Sequence, residues 1–87
     1  MSVHALHRVM VKMTGGAELA SVELALLGAL LQPVFLAPDH VQRTIKDGAG
    51  DAGQLPSFFC ANLELAATHG YISDLHFDDE LVTFRLP

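Results

Sequence analysis

The side chains able to do chemistry in this chain are few and widely spaced. Cys60 and His69 are the raw material for a thiol nucleophile and its base. They lie on one helical stretch, nine positions apart and near opposite faces, so hydrogen-bond contact is not expected. Cys60 reads instead as a small core residue. His4 and His7 stand one helical turn apart, a spacing that can hold one metal ion. No cysteine pair or second carboxylate cluster completes a four-ligand set, and His40, His69 and His76 are scattered. The five histidines read as surface groups that titrate near neutrality, with a pH-sensitive role open to them. Asp78, Asp79 and Glu80 would bind a hard cation weakly, but an acidic hairpin turn explains them without one. Gly48, Gly50 and Gly53 lack the strand-to-helix context and the lysine of a phosphate-binding loop. The expectation is a non-enzymatic protein with no catalytic residue, metal or cofactor.

Length and charge narrow the classes further. Eighty-seven residues make one domain, read here as residues 1–16, an N-terminal helix or arm, and residues 17–86, the core. A chain this short buries a modest share of its surface. With 51% hydrophobic residues it carries more apolar material than that core needs, which argues against disorder and hints at self-association or a partner. The net charge is −5 and is concentrated beyond residue 46, where Arg85 stands against seven carboxylates. That half should repel phosphates and anionic lipid at long range. One cysteine permits no internal disulfide, and the N-terminus lacks an apolar segment with a cleavage site, so a cytoplasmic protein is expected. Residues 19–37 approach the length of a bilayer span. Glu23, Gln32, Pro33 and the missing Lys or Arg flanks make a core helix the better reading.

These residues need a scaffold, and the most apolar and helical stretch, Glu18 to Leu31, is its centre. Leu19, Val22, Leu26, Leu27, Leu30 and Leu31 cover most of the wheel, so this helix should be buried on several sides or used in an interface. Glu18, Ser21, Ala25, Gly28 and Gln32 form a narrow stripe, read as solvent-facing, or else as a place where another backbone comes close. Glu23 sits among the leucines, and an exposed edge is expected for it. Before this helix, Ser2 can cap a first helix with Leu6, Val9, Met10 and Met13 on one side and Gly15-Gly16 as its stop. Val9 and Val11 leave a strand open there. After Pro33, a short extended piece reaches Leu36. Pro38 and Asp39 suit the start of another helix, with Val41 and Ile45 inward, Gln42, Arg43 and Lys46 toward water, and Asp47-Gly48 closing it. Gly48 to Gln54 reads as a flexible loop. The next helix runs from Pro56 to His69 with Gly70 as its stop. Phe59, Cys60, Leu63, Ala66 and Ala67 form its core face, and Phe58, Asn62, Leu65 and His69 a second stripe. From Tyr71 the period becomes two: Leu75 and Phe77, then Val82, Phe84 and Leu86, give a β-hairpin one apolar face.

Helix, extended piece, helix, helix and two-stranded ribbon is the order of a winged helix-turn-helix domain, an α+β fold of three to four helices before a C-terminal antiparallel hairpin. The stretch LELAATHGYISDLHFDDELVTFRL resembles the end of a winged-helix recognition helix running into its wing. GAGDAGQ is longer than the tight turn usual between the second and third helices. DNA binding is the commonest activity the resemblance implies. Duplex affinity comes mainly from Lys and Arg on phosphates, and residues 56–69 contain neither. Asn62 could read an adenine edge, but the ribbon tip is Asp78, Asp79 and Glu80. A DNA-binding dimer would have to present Arg8, Lys12, Arg43 and Lys46. The favoured expectation is a protein-binding module, adaptor, inhibitor or assembly subunit, that recognises another protein through Phe58, Asn62, Leu65, His69, Asp78, Asp79 and Glu80. A homodimer through the N-terminal or central helix accompanies it. The alternatives are a small DNA-binding regulator and an acidic immunity or chaperone-like protein for a basic partner.

Overall fold

A computed structural model describes residues 20–87. The expected N-terminal helix or arm, with His4, His7, Arg8 and Lys12, lies outside the described residues, as do Glu18 and Leu19. The rest is α+β, with three helices and one four-stranded antiparallel sheet. The order is α1 (Ala20–Leu30), β1 (Val34–Ala37), β2 (His40–Thr44), α2 (Ile45–Ala52), α3 (Pro56–Thr68), β3 (Ser73–Asp78) and β4 (Leu81–Arg85). In the sheet the strands run β1-β2-β4-β3. No helix among the described residues is long and apolar enough to cross a membrane.

The register sorts the side chains onto two sheet faces. Phe35 opposes Val41, Val41 opposes Phe84, and Val82 lies between Arg43 and Phe77. These residues share the face on which the helices lie, because directly opposed residues point the same way. Val41, Val82 and Phe84 are fully buried there. Gln42, Thr83 and His76 oppose one another on the other face. The core continues through Val22, Leu26 and Leu30 of α1 and Phe59 and Leu63 of α3. Burial of each large apolar side chain contributes about 1.5–3 kcal/mol.

Two expectations are overturned in residues 38–54. The segment after Pro38 is a turn and then a strand, and no helix starts at Pro38. Val41 and Arg43 alternate with Gln42 and Thr44, which is the period of a half-buried strand, and β4 offers the backbone a ladder along its whole length. Arg43 therefore points inward and is buried, where a solvent-facing position was expected. The glycine-rich stretch is not a loop but most of α2. Thr44 caps that helix, its hydroxyl accepting from Asp47 N–H at 3.3 Å. Gly53, at φ 69°, ends it. Only residues 53–55 then separate α2 from α3, a tight turn in place of the long connection expected.

Glycine is tolerated in α2 because tertiary packing outweighs propensity. The stripe on α1 read as solvent-facing is buried at Ala25 and Gly28. A Cβ on Gly28 would collide with the Gly48 carbonyl and lie 2.6 Å from Ala52 Cβ. A Cβ on Gly48 would stand 2.6 Å from Phe59 Cζ. The helices meet backbone to backbone, with the Phe59 ring over the contact.

Gly28→Ala should therefore destabilise the fold. It improves helix propensity by about 1 kcal/mol, but overpacking against backbone costs typically ~1–3 kcal/mol. Gly50→Ala has open space and should gain up to about 1 kcal/mol. Urea unfolding of the two variants should shift the midpoint in opposite directions.

Candidate functional site

The two stripes of α3 go to different places. Phe59, Leu63 and Ala66 are wholly buried, with Cys60 and Ala67 packed partly against them. The second stripe faces out, with Phe58 62% and Leu65 47% exposed. Asn62 between them is half-buried, and His69, at the C-cap, is exposed. The His69 ring stacks on Tyr71, 5.5 Å between centroids and 19° between planes. At 1.5 Å per residue the stripe runs roughly 16 Å from Phe58 to His69.

Sequence reasoning missed Leu55. It is 64% exposed and stands at the N-cap, three positions before Phe58, so it prolongs the same stripe. With Phe58, Asn62, Gly53, Gln54 and Ser21 it lines an open cleft of about 350 Å³ between α1 and the start of α3. Gln54 fixes one wall by donating from Nε2 to the Ser21 carbonyl at 2.9 Å. The missed signal was the spacing of 55, 58, 62 and 65, which continues one helical stripe past Pro56.

Asp78, Asp79 and Glu80 form the exposed β3–β4 tip, with Asp79 at φ 50°. A backbone bond from Ile45 N–H to the Glu80 carbonyl, 2.7 Å, ties the tip to the start of α2. Asp79 and Glu80 share a depression of about 490 Å³ with Lys46, Asp47 and Pro56. The acidic tip thus borders the N-terminal end of α3. Leu65 and His69 lie roughly two and a half to three and a half turns further along that helix.

Among the described residues, basic groups are scarce and mostly engaged. Arg43, under α2, is paired with Asp51. Arg85 lies 3.1 Å from Asp74 and 3.5 Å from Asp39. Lys46 is exposed, beside Asp79 and Glu80. Arg43 is thus withdrawn from the basic set that a DNA-binding dimer would have to present. No three His, Cys, Asp or Glu side chains gather as metal ligands among the described residues.

Burial, and secondly the Glu64 carboxylate, raise the Cys60 thiol above the ordinary value. Its partner in the thiol–base reading, His69, is nine positions along the helix and stacked on Tyr71. The chain matches no protein-family model, no curated protein and no solved structure.

Removing Asp51 should strand the buried Arg43 charge, whose Nη1 has no hydrogen-bond partner among the described residues. Asp51→Ala should lower stability by ~1–3 kcal/mol. The double change with Arg43→Met should recover most of that, as read by urea unfolding. The thiolate is the reacting form, so Cys60 alkylation should be slow at pH 7.5 and still rising above pH 9. Glu64→Gln should speed it at fixed pH, as followed by mass spectrometry.

Proposed function

We propose that the protein is a non-enzymatic binding module on a winged-helix-like scaffold, acting as a cytoplasmic adaptor, inhibitor or assembly subunit. It recognises another protein through the exposed stripe of α3 and the acidic tip beside its start. The scaffold reading is supported by the element order and by the pairing of β2 with β4 and of β4 with β3. The three-residue connection between α2 and α3 supports it too, since a helix-turn-helix needs a short turn there. The cytoplasmic placement rests on cysteine usage, because a lone Cys60 forms no internal disulfide.

One observation carries the function: Leu55, Phe58 and Leu65 are about half exposed or more, on a helix with no basic residue. Large apolar side chains lined up on one face mark a contact with another polypeptide. Aromatic anchors such as Phe58 contribute most when a partner covers them. A duplex would meet Glu64 on this helix and three carboxylates at the tip, with both described arginines already paired. The exposed tip favours a partner with a basic rim. The chaperone-like reading for a basic partner differs in assigning most of the affinity to Asp78, Asp79 and Glu80.

The test compares the wild-type chain with Phe58→Ser/Leu65→Ser as baits for soluble protein from its own cells. A discrete protein should be retained by the wild type and reduced at least tenfold with the variant, at unchanged circular dichroism. Asp78→Asn/Asp79→Asn/Glu80→Gln should weaken retention less and remove its salt dependence. Salt-sensitive retention of a random duplex, lost on Asn62→Ala, would replace this reading with a DNA-binding one.

A further inference from the structure

The sheet has two outer strands, and they are built differently. The β3 edge carries Asp74 and Asp78 and a register shift between Ser73 and His76, with Asp74 at φ 50°. Charges and bulges on an edge block pairing with another chain. The β1 edge has no charge. Val34, Phe35 and Leu36 are 56%, 42% and 52% exposed, and among the described residues β1 pairs with β2 alone. A bare apolar edge is a template for strand addition.

Charge points to the occupant. The chain carries −5, so two copies repel wherever their carboxylates meet. The longest stretch without a charged residue is 24–38, and β1 lies inside it. Isologous pairing sets each β1 against an identical uncharged strand, so the contact adds no like-charge pair. Pro33 and Pro38 bracket the strand and cannot donate to a ladder, which limits pairing to the four residues between them. The acidic, bulged β3 edge gives no second site from which a fibre could grow.

We propose that β1 is a self-association edge, where two copies pair antiparallel into one eight-stranded sheet. The contact is separate from the stripe on α3 and leaves that face open. It also differs from dimerisation through α1, whose apolar side is largely occupied within the protomer, with Leu24 left exposed. Four residues a side is below the area of a stable interface, so the association is expected to be weak and concentration-dependent.

Sedimentation equilibrium from low micromolar to near-millimolar protein tests this. The mass should rise from 9.4 kDa toward twice that value. Val34→Lys/Leu36→Lys should stay at the monomer mass with unchanged circular dichroism, and Phe58→Ser/Leu65→Ser should still associate. On the wild type, hydrogen exchange at residues 34–37 should slow several-fold at the higher concentration. A monomer throughout, or a dimer that survives the lysines, overturns the proposal. So does β1 protection that is the same at both concentrations, which would give the edge to another part of the same chain.

Discussion

The contact on which the structure depends is the one between Gly28 and α2. Neither side has room for a methyl group: Gly28 meets the Gly48 carbonyl and Ala52, and Gly48 meets the Phe59 ring. A close-packed interior does not absorb such intrusions. The distance between α1 and α2 is therefore set by backbone, and the position of α3 by one aromatic ring over that joint. With Phe59 seated there, Phe58 points to solvent, because adjacent helical residues are about 100° apart. The buried and exposed halves of α3 follow from one packing constraint.

That constraint links fold to surface chemistry. The same α3 puts Phe59, Leu63 and Ala66 in the core and Leu55, Phe58 and Leu65 outside. The sheet divides its residues likewise, with Val82 and Phe84 inward and Thr83 outward. Its inward face also holds Arg43, which reaches Asp51 and staples β2 to α2. Among the described residues, nine carboxylates stand against three basic groups, and both arginines are in ion pairs. Over the described residues the outer surface is acidic with apolar patches, a poor match for a polyanion.

Much of this was legible in the residues. Period-two alternation placed the hairpin and its core residues Val82, Phe84 and Leu86. Helical spacing separated Phe59, Leu63 and Ala66 from Phe58 and Leu65. The segment 38–54 misled for two physical reasons. Pro38-Asp39 resembles a helix start, but β4 supplies a partner ladder that no local signal announces. Gly48 and Gly50 speak against a helix by propensity, while the requirement at Gly48 is for space beside Phe59, a contact eleven residues away in sequence. The stripe Ser21-Ala25-Gly28 was ambiguous for the same reason, since small residues suit both water and close backbone approach. Leu55 went unread because Pro56 looked like the natural limit of the helix and of its stripe.

The central claim is that the outer stripe of α3 meets a polypeptide. A photoreactive phenylalanine analogue replacing Phe58 in cells, with Thr83 on the opposite sheet face as control, tests it most directly. The account requires a discrete protein adduct from position 58 and none of that mass from position 83. Adducts to nucleic acid from position 58, or the same protein captured equally from both positions, would contradict it.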